Sequence, residues 1–495
     1  MILRHYQSAA IDNLRAGFRK GYVRQVLAAP TGAGKSIIMM AMIDAANAKG
    51  TRSLFICERR ILVDQFATHL DKHGLDFGVF MAKSWRHRPH CNIQLASIQT
   101  LEKMDEWPKA DLLFVDEIHV CMRRSLIEYI KANPSVKIVS STATPFHPEI
   151  ANNFESVTSV STMSNLVNEG HLTPFRVFIS HEIDTKGLKT AGGEYKQNDL
   201  EKRCQKIVGN VVQDYIDISH NVYGGYQKTI CFAAGVQHGS DLMQEFNSHD
   251  INAVQVSYKD SDEFKRDVFD EFRKPDTEIK VLISSTILER GADLPDVKHV
   301  ILARPFKKSF SSFVQEVGRG ARVYPGKEFC VIQDNSGNWL RFRDSWEDLY
   351  HNGVTSLHSD ADNKSRTEPT KKEKDAAKCP KCKMLWPTDS EVCSNCGFVH
   401  KLKKANIVNL QGEILELGAS DAKISWEFKR DYYQQMLGYC IQHKKHTATA
   451  KHWYLKKFKE EYPSDVMPTP ITPSVEVANY CKSRLIAYAY GKRKA

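Results

Sequence analysis

The chain has 495 residues, 42% hydrophobic and 26% charged, which excludes an intrinsically disordered protein and is too long for a single core, so about three domains are expected. Its net charge of +10 is concentrated at the end: residues 397–495 hold 17 Lys/Arg against 9 Asp/Glu, an excess that favours a polyanionic partner, although a solvated basic face reads the same way. No run approaches the ~18 apolar residues of a membrane span, and the start Met1-Ile-Leu-Arg-His-Tyr-Gln lacks a signal core, so a cytoplasmic protein without a membrane partner is expected.

Arg4 and Gln7 precede an amphipathic helix carrying Ile11, Leu14 and Phe18. An apolar strand then runs into Ala29-Pro30-Thr31-Gly32-Ala33-Gly34-Lys35-Ser36. This is a phosphate loop in which Ala29 replaces the usual first glycine. Gly32 and Gly34 permit the tight turn, so that the backbone from Thr31 through Ala33 to Ser36 faces an anion at a helix N-terminus. Lys35 reaches the β- and γ-phosphates, and Ser36 is a Mg²⁺ ligand.

Apolar runs at 26–29, 53–57, 93–97, 112–115 and 137–141 alternate with helical segments, which predicts a doubly wound α/β sheet. Glu58-Arg59-Arg60 opens a helix at the carboxyl edge, where ligands of such sheets bind. The strand before Asp116 and Glu117 delivers two adjacent carboxylates to that edge. The first suits Mg²⁺ and the second suits an attacking water. Ser141-Thr142-Ala143-Thr144 ends the next strand with hydroxyls within reach of the carboxylates.

After a loop-rich stretch at 152–170, a second strand–helix series at 176–180, 229–234, 253–257, 280–285, 300–303 and 329–334 predicts another α/β domain, without its own phosphate loop. It carries Arg290-Gly291-Ala292-Asp293 and Gln315-Glu-Val-Gly318-Arg319-Gly-Ala-Arg322, whose spacing places both arginines on one face of a helix. Polar residues at 346–378 read as a linker. Cys379, Cys382, Cys393 and Cys396 then form two Cys-x-x-Cys knuckles, a closed structural Zn²⁺ site. Beyond them, Trp426, Tyr433, Trp453 and Phe458 mix with lysines, either as the core of a small helical module or as base-stacking groups.

Lys35-Ser36, Asp116-Glu-Ile-His119 and Ser141-Thr-Ala-Thr144 resemble motifs I, II and III of superfamily-2 DExH helicases, in order and spacing. The stretches at Gly291/Asp293 and at Gln315–Arg322 resemble motifs V and VI, so the likeness spans residues 2–340. It implies two RecA-like parallel-sheet domains in tandem with ATP and Mg²⁺ between them. Arg4 and Gln7 would read the adenine, Gly291 would approach the nucleotide or strand, and Asp293 would contact the ribose. Gln315, Arg319 and Arg322 would join Lys35, Asp116 and Glu117 as catalytic groups from across the cleft.

With the cysteine ribbon and basic tail, the layout resembles RadD-like helicases, including phage-encoded relatives. That likeness implies DNA repair, recombination or replication in the cytoplasm, which is the host's if the gene is phage-borne. Nucleic acid is the implied partner, DNA ahead of RNA, together with a single-stranded-DNA-binding or other repair protein. The rivals are an RNA helicase and an ATP-gated clamp or scaffold that does not unwind. The expected divisions are 1–170 and 171–345 for the two motor domains, 346–378 for the linker, 379–397 for the ribbon and 398–495 for the tail.

Overall fold

The computed structural model describes residues 2–81, 84–181, 183–285, 294–357, 378–386, 392–399, 426–458, 460–463, 468–474 and a few positions between 477 and 485. Its first sheet has seven parallel strands: β1 (Arg24–Ala28), β2 (Ser53–Cys57), β3 (Gly78–Phe80), β4 (Ile93–Ser97), β5 (Leu112–Val115), β6 (Lys137–Thr142) and β7 (Ser156–Ser159). They are ordered β3-β4-β2-β5-β6-β1-β7. Helices cover both faces, so the central strands are apolar throughout rather than alternating, and Leu113, Phe114 and Val115 are all fully buried.

Five of these strands coincide with the runs expected from sequence. The stretch at 152–170 contains β7 and the helix Met163–Asn168, which the polar pattern Ser-Val-Thr-Ser conceals because this edge strand is only half-buried.

The second sheet is formed by β8 (Phe175–Ile179), β11 (Thr229–Ala233), β12 (Ala253–Val256), β13 (Val281–Ser284), β14 (His299–Ala303) and β15 (Cys330–Asp334). All are parallel, in the order β12-β13-β11-β14-β15-β8, and a small hairpin, β9 (Thr190–Ala191) with β10 (Glu194–Tyr195), stands apart.

Residues 346–357 are not the open linker that their polarity suggests. The helix Arg343–Asn352 buries Trp346, and Trp346, Leu349 and Tyr350 join the main core. Leu357 packs against the core beneath the first sheet, so this segment straps the second lobe back onto the first.

The described ribbon pieces also attach to the motor. Leu385 N–H donates to Val177 O (2.6 Å) and Ile179 N–H to Lys383 O (3.0 Å), so the ribbon extends the second sheet beyond β8, antiparallel to it.

The described residues from 426 onwards belong to a separate compact unit. Within it the helices Trp426–Gln442 and Ala448–Phe458 pack together around Tyr432, Tyr433, Met436, Trp453 and Tyr454, all buried. The aromatic spacing there is therefore a core, which leaves Tyr433 and Trp453 unsuited to stacking on bases. No helix among the described residues is long and apolar enough to cross a membrane.

Candidate nucleotide site and lobe interface

Strands β5, β6 and β1 are adjacent and parallel, with Val115 opposite Ser140 and Leu27 opposite Ser141. Their carboxyl ends therefore release the carboxylates, the hydroxyls and the phosphate loop at one edge. Gly32 (φ 90°) and Gly34 (φ 86°) occupy the left-handed region that favours glycine. A Cβ on Gly34 would lie 2.4 Å from Gln7 Nε2, and one on Gly32 would lie 2.9 Å from Leu172 Cδ2. Gln7 Nε2 and Tyr6 Oη both donate to Ala33 O, at 3.2 and 3.3 Å, so the first helix braces the loop directly. Arg4 is exposed and donates through Nη1 to Tyr6 Oη at 2.9 Å. Lys35 and Ser36 begin the helix Lys35–Asn47, and buried Thr31 and Ala33 complete the turn.

Lys35 Nζ donates to Glu117 Oε1 at 2.8 Å, in a pair whose side chains are only 12% and 20% exposed. Glu117 holds φ 48° and ψ 58°, a conformation that costs a non-glycine residue energy, and it is seated at the site rather than in an ordinary turn. Asp116 Oδ1 accepts from Ser141 Oγ (2.6 Å) and from Glu117 N–H (3.1 Å). Burial and the neighbouring Glu117 charge push the Asp116 carboxyl above its ordinary value, against the pull of Lys35 and Ser141. Burial alone would raise Glu117 too, but the Lys35 ammonium, with Arg319 adding to it, outweighs burial and holds that carboxyl below its ordinary value, so Glu117 is ionised at neutral pH.

Gln315 Nε2 lies 3.0 Å from His119 Nε2, which links the two lobes. With the amide donating, His119 Nε2 accepts and the ring proton sits on Nδ1. Nδ1 is 2.9 Å from Thr142 Oγ1 and 3.4 Å from Glu117 Oε2. Hydrogen bonds thus run from Gln315 of the second lobe through His119 to Thr142 of β6, with the Glu117 carboxylate 3.4 Å from the same ring. Sequence reasoning placed Gln315 among the catalytic groups but gave His119 no partner, because 196 residues separate the two.

Gly318 is the closest approach that the motif concealed: a Cβ there would fall 2.5 Å from Thr31 Cβ, so only a glycine lets this helix end rest on the phosphate loop. The helix Phe310–Gly318 ends before either arginine. Arg319 is its C-cap and Arg322 lies in the following loop, so the two do not share a helix face. The buried Lys327 holds that loop, donating from Nζ to Gly320 O (2.9 Å), Arg322 O (2.8 Å) and Pro295 O (3.2 Å). The Arg322 stem passes beside Gly32, 3.5 Å from where a Cβ would stand. Gly291 and Asp293 lie outside the described residues.

The four ribbon cysteines stand together, with their sulfur atoms within 4.8 Å of one another. Cys379 Sγ is 3.7 Å from Cys396 Sγ, and Cys382 Sγ is 3.6 Å from Cys393 Sγ. Four thiolates at ~2.3 Å from one tetrahedral ion would be ~3.8 Å apart, so the two short sulfur–sulfur spacings and the compact donor set fit one zinc ion.

Residues 1–147 match the family model described as "Type III restriction enzyme, res subunit", and residues 214–324 match "Helicase conserved C-terminal domain". The chain is 25% identical over 400 residues to the "51.5 kDa protein" of Lactococcus phage (isolate 7-9), covering 79% of this chain and 81% of that one. It is 24% identical over 364 residues to IRC3 of Saccharomyces cerevisiae, provisionally named an ATP-dependent helicase. That match covers 68% of this chain but 52% of the yeast protein, so the chain spans about half of that relative. Among solved structures, a fragment of a provisionally assigned HsdR subunit of a type I restriction enzyme from Vibrio vulnificus YJ016 shares the fold. The TM-score is 0.57 at 21% identity, over 72% of this chain and 68% of the other. Two tandem RecA-like lobes that meet across a phosphate loop, together with these matches, place the chain in the superfamily-2 helicases, a family of ATP-hydrolysing motors.

Proposed function

We propose that the chain is a RadD-like motor that hydrolyses ATP to move along or separate the strands of nucleic acid, DNA in preference to RNA, during repair, recombination or replication. The observation that carries this reading is the His119–Gln315 hydrogen bond, which ties the carboxylate strand of one lobe to the arginine-bearing segment of the other. In this reading Lys35 exchanges Glu117 for the ATP phosphates, and the released, ionised Glu117 orients the attacking water. Arg319 and Arg322 stabilise charge on the transferring phosphoryl group, Gln315 senses closure through His119, and Thr31 to Ser36 cradle the phosphates. Mg²⁺, when bound by Ser36 and Asp116, would neutralise charge between the phosphates. Arg4 and Gln7 line the adenine side, and Gly291 and Asp293 are assigned to the ribose and strand by motif likeness.

Zn²⁺ held by Cys379, Cys382, Cys393 and Cys396 is assigned a structural role, since four protein sulfurs leave no open position. The preference for DNA rests on His119 in place of Asp and on the ribbon-plus-basic-tail layout. A repair or single-stranded-DNA-binding protein is the expected partner, and the cytoplasm, the host's for a phage-borne gene, the expected location.

The test pairs strand displacement with ATPase assays using single-stranded, duplex and forked DNA and RNA. DNA-stimulated turnover with displacement is expected. Stimulation by RNA alone would make it an RNA helicase, and stimulation without displacement would make it a clamp.

A further inference from the structure

We propose that Trp85 is a base-stacking platform for single-stranded nucleic acid on the outer flank of the first lobe. This rests on the nucleic-acid motor reading and adds a contact to it. Trp85 is 78% exposed, more than any other aromatic side chain among the described residues. An exposed indole with a guanidinium on one side offers a flat ligand a π-surface to stack on.

The ring is held. The Arg86 guanidinium carbon lies 4.5 Å from the Trp85 ring centroid and 4.8 Å from that of Phe77. The same guanidinium makes a two-pronged ion pair with Asp71, Nη1–Oδ1 2.7 Å and Nη2–Oδ2 2.8 Å. Its backbone is fixed as well, because Val79 N–H donates to Arg86 O at 2.8 Å and Gln94 Nε2 donates to Arg88 O at 2.9 Å. The segment after β3 is thereby pinned along that edge strand, with Arg86 a fixed support beneath Trp85.

Charge selects the occupant. Lys72, His73, His87, Arg88 and His90 are all exposed and lie within five residues of Trp85 or just after Asp71, the ion-pair partner of Arg86. The nearby carboxylates Asp71 and Asp76 are already engaged by Arg86 and Arg88. With those carboxylates paired, the Lys72 cation and the imidazoles of His73, His87 and His90 on the same two segments suit a base and its flanking phosphates better than an apolar peptide.

Strand β3 is five places from β1 in the sheet, about 24 Å at ~4.8 Å per strand, so Trp85 does not touch the nucleotide. Replacing it should leave ATP hydrolysis without nucleic acid unchanged, and its exposure makes the variant safe to fold. The experiment measures binding of a labelled oligo-dT to the full chain by anisotropy, with basal ATPase alongside. Trp85→Ala should weaken binding by roughly 5- to 150-fold, the worth of one stacked base, whereas Trp85→Phe should stay near wild type. Equal affinity of Trp85→Ala and wild type overturns the platform and leaves the ring to a protein partner, with the motor reading intact. Failure of the wild-type chain to bind DNA or RNA would instead sink the motor reading itself.

Discussion

Lys35 and Glu117 are each partly satisfied by the other at 2.8 Å, and in the proposed mechanism that pair opens when ATP binds. Glu117→Gln removes the charge that competes for Lys35 while keeping the shape. ATP binding should therefore be retained or tightened, while turnover falls by ~10²–10⁴-fold, the usual worth of a general base. Nucleotide binding and single-turnover hydrolysis, measured side by side, check this, and loss of binding in a folded variant would refute the division of labour. Gly318→Ala tests the lobe contact, because its Cβ would overlap Thr31 at 2.5 Å. A shift of about 1 Å in the arginine-bearing segment should cost on the order of 10²-fold in turnover with little change in melting temperature. Normal turnover would mean that the lobes do not work in this arrangement. The motif residues were legible in the sequence because their chemistry demands particular side chains at fixed spacings. Gly318 against Thr31, His119 against Gln315 and Lys327 beneath Arg322 were not, since each depends on segments brought together only by the fold.

Among the elements, the long parallel strands were readable because both faces are buried and the apolar runs are unbroken. Strand β3 has three residues and β7 carries Ser and Thr, so neither shows a pattern. The helix Arg343–Asn352 hides its apolar stripe of Trp346, Leu349 and Tyr350 among charges. The ribbon is the element whose setting the sequence misplaced most. It reads as a module beyond a linker, yet its chain pairs with β8 through Ile179 N–H and Leu385 N–H. Cys393→Ser or chelation should release one zinc per chain and also uncover the β8 edge, which then becomes free to pair with other chains. Hydrogen exchange at the Ile179 amide should quicken and the protein should self-associate more readily. An unchanged Ile179 amide in zinc-free protein would show that the ribbon and the sheet fold independently.

At the scale of the whole motor, the two lobes are unequal towards acid. His238 and His299 both lie in the second lobe and are fully buried. Burial pushes His238 down to about 4 and His299 down to about 3. His238 Nδ1 accepts a hydrogen bond from Ala234 N–H at 3.1 Å, which only the unprotonated nitrogen can do. In the unfolded chain both rings titrate near ~6.5, so below that pH the unfolded state takes up protons that the folded state refuses. Stability from these groups is therefore complete above ~6.5 and declines as pH falls towards 4, by on the order of 3 kcal/mol for each histidine. Against a domain stability of ~5–15 kcal/mol, a loss of that size by pH 4 is a large fraction of what holds the second lobe folded. Urea unfolding of the full chain between pH 7 and 4.5 should show a falling midpoint for the transition reported by second-lobe amides. His299→Gln, which cannot take up the proton, should flatten that slope even if it lowers stability at pH 7. A slope unchanged by the substitution would show that carboxylates elsewhere, not these buried rings, set the acid limit of the motor.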